Sequence, residues 1–246
     1  MRIAALSDIH GNLAALNAVL EDIQTQAVDL IVNLGDIASG PLQPRETVDV
    51  LMALNLPTIR GNHERQVLEG EPARMGPSDQ YAFGQLRADQ LAWFASLPAQ
   101  RAIEDDVLLV HGSAESDLTY FLETITEYGC RAATHDEVLS RSTGADAQLV
   151  LCGHTHVPRA MTLTDGRLIV NPGSVGLQAY HDEHPIPHQI EMHSPHARYA
   201  IVTKQADTWS VEFRAVDYAW DEAAAVAEAH GRPDWAVALR TGRMQA

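Results

Sequence analysis

Five short apolar runs in this chain end in the same kind of word. RIAAL leads into SDIHGN, DLIVN into LGD, PTI into RGNHE, VLL into VHGS and QLVL into CGHTH, each setting Asp, Asn or His beside a glycine. Between the first runs lie helical stretches. Leu13, Leu16, Val19, Leu20 and Ile23 recur at the spacing of one helix face, and PRETVDVLMALNL follows with Pro44 near its start. Apolar runs alternating with such helices imply βαβ units and a parallel sheet. Residues at the carboxyl ends of strands in such a sheet converge on one rim, however distant in sequence. Asp8, His10, Asp36, Asn62, His63, His111, His154 and His156 are therefore expected at a single edge, where the neighbouring glycines allow backbone to approach closely.

The rest of the chain is organised around that pattern. Residues 64 to 100 carry helical spacing without a strand, so a cap-like helical excursion interrupts the alternation. VLLV at 107 to 110 and QLVL at 148 to 151 resume the sheet, and MTLTDGRLIV reads as a hairpin around its D-G turn. Strands at about 198 to 204 and 209 to 215 precede two helical stretches containing Trp220 and Trp235. The segment from 180 to 197 holds three prolines and five histidines and reads as a long solvated loop. At roughly 150 residues per domain, the 246 residues fit one large domain, 1–246, with that excursion and that loop.

Charge and composition narrow what the rim can do. There are 17 basic and 33 acidic residues, a formal net charge of −16, which repels polyphosphate backbones at long range and disfavours a nonspecific nucleic-acid binder. Part of that charge can instead be ligand charge for divalent cations. The chain is 46% hydrophobic and 20% charged, unlike a disordered segment, and no run approaches the roughly 20 apolar residues of a membrane span. The apolar stretch before Asp8 is too short for a signal peptide, so a cytoplasmic location is the expectation. Cys130 and Cys152 lie too far apart in sequence to suggest a thiolate zinc site or a disulfide framework.

Taken singly, each rim residue has a plainer explanation: a lone Asp after a strand caps a helix, a lone Gly-Asn makes a turn, and His111 can be a half-buried core histidine. His154 and His156 weigh more, because residues i and i+2 of an extended chain project to one side and two imidazoles there lose solvation unless something holds them. Carboxylate, amide oxygen and imidazole together suit divalent first-row transition metals. So many such groups exceed the needs of one ion.

D-x-H, G-D, G-N-H-[DE], H and G-H-x-H occur here complete and in order, so the chain resembles the calcineurin-like metallophosphoesterase superfamily from about Ile3 to His156. The NPGS of Asn171 to Ser174 looks like the small bacterial and archaeal phosphodiesterase-like branch. The resemblance implies an α/β fold, a four-layer α-β-β-α sandwich of two mixed sheets. It also implies two divalent metal ions, the first held by Asp8, His10 and His156, the second by Asn62, His111 and His154, with Asp36 bridging. Manganese is the expected metal, with iron, nickel or zinc as alternatives. His63 is implied as the general acid, and the activity as hydrolysis of a small or nucleotide-like phosphodiester by in-line attack of a metal-bridging hydroxide. A phosphomonoesterase, a dinucleoside polyphosphate hydrolase, or an interaction scaffold on the same fold are the alternatives. A homo-oligomer is compatible with all of these. One departure argues against a protein phosphatase: where those resemble G-D-x-x-D-R-G, this chain has GDIASGP. Arg60, Arg65 and Arg159 are candidate phosphate contacts. Tyr81, Phe83, Trp93, Phe94 and Tyr180 are candidates for gripping an organic group, while Trp220 and Trp235 read as packing residues.

Overall fold

The computed structural model describes residues 1–244. The chain begins β1 (Arg2–Leu6), α1 (Leu13–Gln24), β2 (Leu30–Asn33), α2 (Pro44–Leu54), α3 (Asn62–Glu69), α4 (Pro77–Gln85) and α5 (Ala88–Ser96). It continues with β3 (Gln100–Ile103), β4 (Val107–Val110), β5 (Glu123–Thr126), β6 (Gly129–Ala132), α6 (His135–Arg141), β7 (Leu149–Leu151), β8 (Arg159–Thr162) and β9 (Leu168–Asn171). The last elements are β10 (Ala179–Asp182), β11 (His188–Glu191), β12 (Ala197–Gln205), β13 (Thr208–Val216), α7 (Trp220–Ala229) and α8 (Pro233–Thr241).

Two mixed sheets carry the fold. One runs β13-β12-β1-β2 and the other β3-β4-β7-β9-β8. The period-2 alternation of each strand decides what it touches. Ile3 and Ala5 of β1 join Val32, Ala200 and Val202 in a core shared with Val107, Leu109, Leu149, Leu151 and Val170 of the facing sheet. Ala4, Leu6 and Ile201 face the other way, against Leu16 and Val19 of α1 and Val48 and Leu51 of α2. On the far side of the second sheet, Val110, Val150 and Ile169 pack with Val138 of α6 and with Phe121 and Leu122. Helix, sheet, sheet and helix thus form four layers, each aliphatic side chain worth roughly 1.5–3 kcal/mol on burial.

Helices α3 to α5 occupy most of residues 64 to 100. They pack through Val67, Ala82 and Phe94 onto the same cluster as α1 and β1. The strand expected at PTI is reduced to one bridge between Thr58 and Asn33, because Pro57 has no N–H to donate and the N–H of Arg60 goes to the carbonyl of Pro98. The segment 180 to 197 is not a solvated loop. It contains an antiparallel hairpin that pairs Tyr180 with Ile190 and His181 with Gln189, and Ile190 and His188 are buried. Its prolines fall in the turn and beyond the strands, where no ladder hydrogen bond is lost. Among the described residues, no helix is long and apolar enough to cross a membrane.

Candidate metal centre

The strand ends are bound to one another through the backbone. Asp8 N–H donates to Gly35 O (3.0 Å), His10 N–H to Asp36 O (3.0 Å), Gly153 N–H to His111 O (2.7 Å) and Gly176 N–H to Asp8 O (3.0 Å). This lacing forces unusual backbone. Asp8, His10, Asp36, His154 and His156 all have positive φ, between 53° and 70°, a region costly for residues with a Cβ and held only where the surroundings over-determine it. Each left-handed residue turns its side chain inward at the end of a strand. Gly61 and Gly153 serve close approach: a Cβ at Gly61 would fall on Asp36 Oδ1, and one at Gly153 on Ser7 Oγ.

Two groups result, Asp8 with His10 and His156, and Asp36 with His111 and His154, the ligand-type atoms of each group lying within 4.8 Å of one another. Asn62 joins the second, its Oδ1 3.1 Å from His111 Nε2. Three imidazoles are aimed by backbone carbonyls: His10 Nδ1 meets Ser39 O (2.7 Å), His111 Nδ1 meets Leu34 O (2.8 Å) and His156 Nδ1 meets Leu177 O (2.8 Å). With Nδ1–H so engaged, Nε2 presents its lone pair to the centre. Burial, reinforced by neighbouring histidines, pushes His10 down to about 4, His154 down to about 3 and His156 well below the usual imidazole range. His111 goes the other way, up to about 9, because Asp36 and Asp8 outweigh its burial. Burial pushes Asp8 up to about 7, with Asp36 adding to the effect. Asp36 lies well below the carboxylate range: burial opposes this, but the charge of His111 and His63 and the His111 hydrogen bond outweigh it.

His63 sits above this floor, half-buried. Its Nδ1 is 2.8 Å from Asp79 Oδ1 on α4 and its Nε2 is 4.0 Å from Asp36 Oδ2. Burial works against its proton, yet Asp36 and Asp79 raise it to about 10. Beneath it Glu64 is buried and accepts three backbone N–H groups, from Asp36 (2.9 Å), Ile37 (2.7 Å) and Gly61 (2.8 Å). Glu64 therefore fixes the turn that carries Asp36 against the turn that carries Asn62 and His63. Glu64→Ala would strand three buried donors at about 1–3 kcal/mol each. The expected result is a loss of about 3 kcal/mol or more in denaturant unfolding. Glu64→Gln, which keeps one oxygen for two of the donors, should lose less. Equal stability of both variants and the parent would remove this role.

The centre opens into a cleft of about 1060 Å³ whose wall includes Leu118, Tyr120, Leu177, Tyr180, Arg232 and Trp235. Tyr120 OH lies 2.8 Å from Tyr180 OH and 3.0 Å from His188 Nε2. The Tyr120 ring meets His154 edge-on, and that of Tyr180 tilts against His156.

The chain matches the family model described as the calcineurin-like phosphoesterase superfamily domain over residues 1–190. It belongs to that superfamily. An uncharacterized protein of Methanocaldococcus jannaschii is 28% identical over 204 residues, 71% of this chain and 76% of that one. A metallophosphoesterase from Sphaerobacter thermophilus superposes with a TM-score of 0.74 at 28% identity, covering 99% of both chains. A chain provisionally described as a diadenosine tetraphosphatase shares the fold at 16% identity (TM-score 0.54), covering 88% of this chain and 94% of that one.

The donor set fits the divalent metals that this calcineurin-like domain implies. Asp8 Oδ2 is buried with no hydrogen-bond partner, an expense that a cation relieves. His10 Nε2 and His156 Nε2, both on imidazoles whose other nitrogen is committed, face each other at 3.1 Å, a spacing natural for two ligands of one ion and repulsive otherwise.

Several expectations about the periphery are corrected. Arg65 forks onto Asp117 (2.6 and 2.9 Å), Arg159 pairs with Glu123 (2.7 Å), and neither they nor Arg60 line the cleft. Phe94 is fully buried, with Phe83 and Trp93 packed against its cluster, and Tyr81 meets His230 outside the cleft. Of that aromatic set only Tyr180 reaches the site. Trp235, read as packing alone, lines the cleft and meets the His10 ring edge-on. Asp79, Glu64 and Tyr120 also belong to the site. Glu64 had a signal, as the acid of G-N-H-E; Asp79 and Tyr120 had none, because only tertiary packing brings them in.

Proposed function

We propose that the protein is a dinuclear metal-dependent phosphodiesterase acting on small phosphodiesters. The observation that carries the reading is the pair of three-residue groups at one rim, with two neutral imidazoles facing each other across 3.1 Å. Asp8, His10 and His156 would hold the first ion, Asn62, His111 and His154 the second, and Asp36 would serve both. When bound, two such cations neutralise phosphoryl charge and make water acidic enough to supply a nucleophile at neutral pH. Manganese is the preferred metal, since hard Asp and Asn oxygens accompany the imidazoles.

His63 contributes the proton. Asp79 holds its Nδ1, so Nε2 is the atom that faces the rim and protonates the departing oxygen, a contribution usually worth about 10²–10⁴ in rate. The carbonyls behind His10, His111 and His156 keep those rings from rotating as charge moves.

Charge favours a diester over a monoester. Arg141 and Arg232 line the cleft, but Arg141 is spent on the carbonyls of Tyr120, Phe121 and Glu123 and on Thr124 Oγ1, and Arg232 is neutralised by Asp234. Among the described residues, no lysine and no uncommitted arginine lines the cleft to meet the second charge of a monoester dianion. A panel of bis(p-nitrophenyl) phosphate, p-nitrophenyl phosphate, 2′,3′-cyclic nucleotides and a dinucleoside polyphosphate, each with manganese, iron, nickel, zinc and magnesium, tests this. The diester should exceed the monoester in kcat/KM by at least about tenfold. The reverse order would favour the monoesterase alternative.

A further inference from the structure

The family match ends at residue 190, yet the cleft is walled on the His10 side by residues beyond it. Arg232, Asp234, Trp235 and Ala238 all line it. Trp235 is 6% exposed, and its ring lies 6.0 Å from that of His10 at 74°. The GDIASGP turn makes room for it: a Cβ on Gly40 would come within 2.7 Å of the indole. The Arg232 guanidinium carbon lies over that indole, 5.6 Å from the ring centroid. Its Nε and Nη2 donate to the Asp234 carboxylate at 2.9 and 2.6 Å, and its Nη1 donates to Ser78 Oγ at 3.0 Å. A guanidinium held along its edges and backed by an indole is fixed in its plane. With Asp234 cancelling its charge, it offers the cleft a flat, weakly hydrated face more than a free cation.

We propose that Arg232, backed by Trp235, is a stacking platform for a nucleobase, which makes nucleoside phosphodiesters the substrate class. The inference rests on the phosphodiesterase reading. It uses the chemistry by which Arg planes and aromatic rings take up unstacked bases. Phosphate would sit at the metal rim and the base on the guanidinium, with the sugar between them.

The test compares calorimetric binding of AMP and methyl phosphate to the manganese-loaded protein, together with hydrolysis of thymidine 5′-(p-nitrophenyl phosphate) and methyl p-nitrophenyl phosphate. The parent protein should prefer AMP over methyl phosphate by about 5- to 100-fold, the usual worth of one stacked base. Arg232→Ala should reduce that ratio to within about twofold of unity. Arg232→Lys, which keeps the charge and loses the plane, should not restore it, with circular dichroism confirming that both variants are folded. No AMP preference in the parent, a preference that survives Arg232→Ala, or full rescue by Lys would each overturn the platform. The two readings fail separately. Arg232-dependent AMP preference without hydrolysis of any diester would sink the phosphodiesterase reading and keep the platform, whereas diester hydrolysis indifferent to the nucleoside would do the opposite.

Discussion

Asp36→Ala is expected to lower kcat/KM by about 10³-fold or more and to reduce the metal bound after reconstitution from two ions per chain to one or fewer. The magnitude follows from the several kcal/mol that metal charge contributes to a phosphoryl transition state, at about 1.4 kcal/mol per factor of ten. Asp36 belongs to the second group and is the residue proposed to serve both ions. Its Oδ2 lies 3.0 Å from His111 Nε2 and 4.0 Å from His63 Nε2, and its Oδ1 accepts the His63 N–H at 3.0 Å. Removing the carboxylate therefore takes a ligand from both proposed ions and leaves His111 and His63 without their main counter-charge. Asp36→Asn separates these effects, since the amide oxygen can still accept the His63 N–H but brings no negative charge. It should fold better than the alanine variant and be nearly as inactive. Metal analysis after saturation and dialysis is the decisive readout. Two ions retained by Asp36→Ala would mean that each group holds its ion unaided and that Asp36 bridges nothing.

What the sequence made legible follows from the kind of information each feature carries. The rim residues were readable because each follows an apolar run, and strand ends in an α/β sheet share an edge whatever the loops between them do. Asp8, His10, Asp36, Asn62, His111, His154 and His156 do converge. The left-handed backbone that aims five of them was not readable, since nothing local in Asp8 or His154 announces a conformation imposed by hydrogen bonds to Gly35 O, from Gly176 N–H and within the neighbouring turns. The β10–β11 hairpin was hidden by its composition: histidine and proline masked the alternation in which Ala179, His188 and Ile190 are buried. The walls of the cleft were least legible. Trp93 and Phe94 carried the stronger aromatic signal and were absorbed by the core, while Trp235 came to the cleft through helix packing some 200 residues from the Gly40 it lies against.

His63→Ala is expected to cut the rate on a diester with a poor alkoxide leaving group by about 10² or more, and on nitrophenyl diesters by much less, because nitrophenolate departs without a proton. The acid depends on Asp79. An acid at neutral pH must keep its proton until the ester bond breaks, and a half-buried imidazole left to desolvation would lose it. Burial pulls His63 down and Asp36 and Asp79 raise it; with Asp36 spent on the proposed ions, Asp79, 2.8 Å from Nδ1, is the charge that keeps the imidazolium protonated. A group raised above its ordinary value of 6.5 is fully protonated below that value and releases its proton only at higher pH, so acid catalysis should persist through neutrality and fail on the alkaline side. Asp79→Asn keeps a hydrogen bond to Nδ1 while removing the charge. It should therefore shift the alkaline limb of kcat/KM to lower pH for the poor leaving group, and leave metal content at two. Asp79 acts here only through His63, so Asp79→Asn in a His63→Ala background should cost little more than His63→Ala alone. Equal losses on both leaving groups would leave His63 as an electrostatic contact for bound phosphate, and an unmoved alkaline limb in Asp79→Asn would remove Asp79 as the residue that sets its proton affinity.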